Sequence, residues 1–145
     1  MVNETSDELE AIDWDGRMTP EVLSVRVDLY HAAKNWDLMR DIAKHLAESL
    51  PDQSDGWVSW AFALRAQEQV KEAKEVALRG LELHPGYAIL HFNLACYLSL
   101  LGEFPEAKKR LNRAIKLDER FKAESVSDED LAGLKGWFGG EELGE

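Results

Sequence analysis

Slid along itself by 34 positions, the chain falls into line with itself. Pro51 lands on Pro85, and Trp36 lands on Val70 and then on Phe104. Met39, Ala73 and Ala107 coincide, as do Ala43, Ala77 and Leu111. So do Leu46, Gly80 and Ala114, and Ala47, Leu81 and Ile115. A short unit that recurs at a fixed period cannot bury its apolar side alone and must stack on copies of itself. That limits the fold more sharply than composition does.

Each unit reads as two helices. In residues 54–87, Trp57, Trp60, Ala61 and Leu64 fall at i, i+3, i+4 and i+7, the stripe of an amphipathic helix. A polar break at Gln67–Gln69 follows. Val70, Ala73, Ala77 and Leu81 then form a second stripe, stopped by His84-Pro85-Gly86. In the next unit Leu90 or His91, Leu94, Ala95 and Leu98 form the first stripe. Gly102 supplies the turn, and Pro105 falls in the first turn of the following helix, where its missing N–H costs nothing. Strictly alternating runs rich in β-branched residues are absent, which argues against strands. Small residues at Ala61, Ala73, Ala77, Ala95, Ala107 and Ala114 allow helix axes to approach to roughly 8–10 Å. Bulky residues beside them fill the remaining space.

With these residues in place, the chain resembles a tetratricopeptide repeat (TPR) protein. Trp57, Ala61, Ala73 and Pro85 match the family pattern in the second unit. Leu94, Ala95, Gly102, Phe104, Ala107 and Ala114 match it in the third. In the first unit Leu23, Tyr30, Trp36 and Pro51 fit, whereas Met39 replaces a small residue and Lys34 the turn glycine. Glu119 stands where the third unit would close with proline, so its second helix is expected to run on towards Phe121. The resemblance implies an all-α solenoid of three helical hairpins, at residues 20–53, 54–87 and 88–122. An N-terminal partial hairpin (1–19), a C-terminal capping helix (123–138) and a disordered tail (139–145) would flank them.

Charge is concentrated at the ends. Of a net −11, residues 1–16 contribute −6, residues 124–145 another −6, and the centre +1. A near-neutral body lacks the basic surplus that nucleic acid requires. No apolar run approaches the roughly 18–20 residues of a membrane span, and the acidic start is not a secretory signal. One cysteine, Cys96, fits a reducing compartment, so the cytoplasm is expected. Ser127 reads as the N-cap of the terminal helix, with Leu131, Leu134 and Trp137/Phe138 turned inward. Because Lys108, Lys109, Arg110, Arg113 and Lys116 crowd one helix just ahead of it, the acidic segment is expected to fold across that basic face.

Nothing in the chain reads as catalytic. His31, His45, His84 and His91 lie in different elements without metal-site spacing. Phosphate loops, nucleophile elbows and H-E-x-x-H are absent, and Cys96 has no neighbouring base in sequence. No enzyme activity, metal or cofactor is expected.

The expected role is binding. The family resemblance implies that the first helix of each hairpin lines a concave surface, whose outward residues select the partner. Val58, Phe62, Arg65, Ile89, Phe92, Asn93 and Cys96 are the candidate partner-binding residues. The family's carboxylate clamp is matched only at Asn93, since Ser24, Asp28, Ser59 and Ile89 stand where it uses Lys or Asn. The remaining apolar stripe suits a peptide or helix of a partner protein. The alternative is a homo-oligomer using the same groove, or occlusion by the chain's own terminal helix. Three-repeat bacterial TPR proteins that chaperone secreted proteins share this layout.

Overall fold

The structure, a computed structural model, describes residues 19–134. Helices α1 (Pro20–Ala32), α2 (Trp36–Ser49), α3 (Ser54–Ala66), α4 (Val70–Leu83), α5 (Ala88–Leu100) and α6 (Phe104–Leu117) form three hairpins. A short α7 (Phe121–Ser127) and a 3₁₀ turn (Glu129–Leu131) follow. Each of the six hairpin helices packs on the next, and α3 also touches α5. The expected helix in 1–19 (save Thr19), the end of the expected capping helix with Trp137 and Phe138, and the tail at 139–145 lie outside the described residues. No helix among the described residues is long and apolar enough to cross a membrane.

The helices start and stop at the repeat interval. First helices begin at 20, 54 and 88, and second helices at 36, 70 and 104. Local chemistry sets these ends. Thr19 caps α1 by accepting from the Val22 amide, with Pro20 in the first turn, and Asn35 caps α2 through the Leu38 amide. Within each hairpin one backbone motif makes the turn. The Asn35, Gln69 and Glu103 amides donate to the carbonyls of Tyr30, Leu64 and Leu98 at 2.8–2.9 Å. This 6→1 closure needs one residue in the left-handed region. That residue is Lys34, Glu68 or Gly102, with φ of 57, 63 and 77°. Glycine meets the demand freely, while Lys34 and Glu68 bear a steric cost of about 1 kcal/mol each.

The core follows the sequence stripes. Ala73 and Ala107 are both 0 % exposed, and Ala43, Ala77 and Leu111 are equally sealed. Hairpins approach so closely at Gly56 that a Cβ there would meet the Ala47 backbone nitrogen at 2.6 Å. Trp57 and Trp60 lie side by side with centroids 5.9 Å apart, and Arg79 from α4 covers both at 5.1 and 5.4 Å. One bond between consecutive hairpins recurs at the repeat interval. The Trp57 indole N–H donates to the Pro51 carbonyl at 3.2 Å, and at the same place one repeat later His91 Nε2 meets the Pro85 carbonyl at 2.8 Å.

Two local expectations change. α6 stops at Leu117 instead of running on to Phe121. Asp118 ends it without a proline, because its carboxylate accepts from the Arg120 amide and pairs with the Arg120 guanidinium. That guanidinium also holds the Asp118 carboxyl below its ordinary range. The helical stretch expected to start at Ser127 is capped one residue later, by Asp128, with Leu131 and Leu134 turned inward as expected. The Ser127 hydroxyl turns back to the Glu124 carbonyl, Asp128 is extended (φ −75°, ψ 121°), and its carboxylate caps the next turn through the Asp130 amide.

Candidate functional site

The first helices α1, α3 and α5 share one face, and the repeat aligns their residues in rows. Ser24, Val58 and Phe92 form one row, Asp28, Phe62 and Cys96 a second, and His31, Arg65 and Ser99 a third. The rows do not share one environment.

Across the first two hairpins the surface is open. A groove of about 430 Å³ runs between α1, α3 and the start of α5. Val27, Val58 and Ile89 give it apolar walls, and Asp28 and Asp55 supply acid. Beside it, Phe62 is 36 % exposed and completes an aromatic trio with His31 (4.9 Å) and Trp36 (6.0 Å).

Across the third hairpin the same rows are buried. Phe92 is 3 % exposed and stacks on Phe121 at 4.7 Å with an interplanar angle of 20°. Cys96 is 5 % exposed, and its thiol points at Asp128 Oδ2, 3.8 Å away. Burial pushes the Cys96 thiol up, and the Asp128 and Asp130 charges push the same way, so it is held protonated and inert. Arg65 reaches from α3 to grip Asp130 with two bonds, Nε at 3.1 Å and Nη2 at 2.8 Å. This pairing raises the Arg65 pKa. Leu131 and Leu134 are sealed into the core at 1 % exposure. The Asp128 and Asp130 contacts therefore lie on the concave side, not on the basic face of α6 where the acidic segment was expected.

The candidate residues thus divide. Val58 and Ile89 share the open groove, with Phe62 next to it. Phe92 and Cys96 face the chain's own terminal segment, Arg65 is engaged by it, and Asn93 is half-buried. Sequence reasoning missed Trp36 and Tyr87 as parts of the open surface, and the pairing of Asp130 with Arg65, although it left occlusion by the terminal helix open and turned Leu131 and Leu134 inward. A signal for the occluding segment existed. Continued past α5, the repeat interval puts a further first helix at 122–134, with Asp130 in the row of Phe62 and Cys96.

Cys96, Asp128 and Asp130 could bring three ligand atoms within 4.8 Å of one another. Asp130 is already committed to a guanidinium, so the trio does not fit a cation.

Residues 76–109 match the family model of the tetratricopeptide repeat, straddling the second and third hairpins. Over those residues the chain is similar to the tetratricopeptide repeat family. Its fold agrees with 34 solved chains. One of these, "MamA MSR-1 C2", aligns with a TM-score of 0.62 and 24% sequence identity. That match covers 73% of this chain and 61% of the other, and it shows the fold. No curated protein matches. TPR stacks are protein–protein interaction modules, and the family is typically non-catalytic.

Proposed function

We propose that this chain binds a peptide or helix of a partner protein along its concave surface, without catalysis, in the cytoplasm. The observation that carries the reading is the open groove between α1, α3 and α5. There Val58 and Ile89 stand beside the acids Asp28 and Asp55, and Phe62 stands at the rim. Apolar anchors supply most of the affinity at such surfaces, and the acids select a Lys or Arg flanked by apolar residues. The test is capture of partner protein by the full chain and by Phe62→Ser and Val58→Asp variants. Loss of capture with unchanged helicity supports the reading. Undiminished capture by both variants moves the site elsewhere.

Self-association is the second reading, and one observation favours it. Val22 and Leu29 occupy α1 places whose counterparts, Gly56 and Ala63, pack between hairpins, yet they are 41 % and 61 % exposed. Light scattering over a hundredfold concentration range separates the two readings, since a strict monomer leaves the groove to a partner.

A further inference from the structure

The terminal segment behaves as a bound ligand rather than as a further repeat. A regular first helix at 122–134 would run unbroken beside α5. The chain instead breaks at Asp128, which caps a new helical stretch over 129–134. Its carboxylate Asp130 passes over α5 to Arg65 on α3, while Leu131 and Leu134 go into the core and Gly133 lies against the Phe104 ring. The rest of the segment is held loosely by comparison: Glu129, Ala132 and Gly133 are exposed, and Val126 is 61 % exposed. Beneath it the fit is incomplete. Tyr97, on α5, is 2 % exposed, and its hydroxyl has no hydrogen-bond partner among the described residues. An unpaired buried hydroxyl favours any occupant that could satisfy it.

We infer that the second and third hairpins form a receptor for a short acidic turn of the pattern Asp-x-Asp-Leu-x-x-Leu. In the resting chain residues 128–134 fill it, and a partner segment of the same chemistry displaces them. The inference rests on the reading of the concave surface as a binding surface and names a second partner class for it. The two halves of that surface then have opposite polarity: acid at Asp28 and Asp55, base at Arg65. Arg65 supplies the selection, because a bidentate guanidinium–carboxylate pair fixes both charge and orientation. The two leucines supply burial. A tethered segment competes at an effective concentration near millimolar, so an external peptide meets a largely filled site.

The probe is a fluorescent peptide with the sequence of residues 127–134, Ser-Asp-Glu-Asp-Leu-Ala-Gly-Leu, added to the full chain. Leu131→Ser with Leu134→Ser vacates the site, and hydrogen exchange across 128–134 verifies release. If that variant loses helicity or fails to release, Asp130→Lys takes its place. Peptide affinity is expected to rise at least tenfold in the vacated chain over the native one. Adding Arg65→Glu should remove the gain, and a peptide with Lys at the Asp130 position should restore part of it. Equal affinity in native and vacated chains overturns the inference. Binding that survives Arg65→Glu but fails with Phe62→Ser also overturns it, while leaving the groove of the first two hairpins standing. Loss of partner capture through Phe62 with an intact Arg65-dependent response would do the reverse.

Discussion

Phe62 and Cys96 occupy the same place in successive repeats, as do Val58 and Phe92, yet the first of each pair meets solvent and the second does not. The backbone of α3 and α5 is equivalent at both. What differs is a stretch of chain from Phe121 to Leu134 that lies over the third hairpin, reaches Arg65 of the second through Asp130, and leaves Val58 and Phe62 open. A solenoid position therefore has no fixed accessibility, which depends on which strand of chain crosses it. In this molecule a single concave wall is divided into an unfilled acidic half and a filled basic half.

The sharpest way to break that contrast is to lift the cover. Replacing Leu131 and Leu134 by Ser removes two buried side chains worth about 1.5–3 kcal/mol each. Cys96 labelling by a thiol reagent should then accelerate at least about thirtyfold, since 1.4 kcal/mol is tenfold in an opening equilibrium. An unchanged rate would mean that the third hairpin is closed by something other than residues 128–134.

The three hairpin turns offer a second comparison. Lys34→Gly and Glu68→Gly should each stabilise the fold by about 1 kcal/mol by relieving a left-handed residue, whereas Gly102→Ala should cost about as much. Urea midpoints measure all three. If Gly102→Ala were neutral, the shared turn geometry would not be under steric control.

Arg65→Ala should have a smaller effect, about 0.5–1 kcal/mol on closure, because the Asp130 pair is partly exposed and screened. Added salt should mimic it in the native chain and leave the variant unmoved, as read by hydrogen exchange over 128–134.

The least of the four effects is a response to acid. Burial lowers the His91 pKa from 6.5 even though the Pro85 carbonyl favours the protonated ring. The ring donates through Nε2, so a second proton would go to Nδ1, which is buried and without a partner. The unfolded chain binds that proton more readily. Stability is therefore retained above about pH 6.5 and declines as pH falls through that value towards the lower folded one. His91→Gln should flatten the fall in urea midpoint between pH 7.5 and 5.5. Trp57, making the same bond one repeat earlier, contributes no such slope.

The repeated fold was legible because its signals are local and occur several times. An alanine that must sit under a neighbouring helix recurs at Ala73 and Ala107, and each occurrence reinforces the other. The open groove was half legible: Val58, Phe62 and Ile89 follow from which side of α3 and α5 faces away from the hairpin. Its aromatic partner Trp36 did not follow, because contact between the start of α2 and α3 depends on the angle between hairpins. The division of the wall was hidden for a different reason. Leu131 and Leu134 announce an apolar side but not its destination, and the Arg65–Asp130 pair joins residues 65 positions apart. At Glu119 the missing proline suggested a longer helix, and an aspartate one place earlier ended it by another route.

Trp57 and His91 each reach back to the last proline carbonyl of the hairpin before them. The next member of that series is Ser125, whose hydroxyl donates within its own helix, to the Lys122 carbonyl. The backbone clasp thus recurs at two joints and is missing at the last, where ring stacking, the Arg65–Asp130 pair and two buried leucines hold the chain instead. Under heat, denaturant or a mechanical pull, the stack's disassembly should begin after residue 118 and travel backwards.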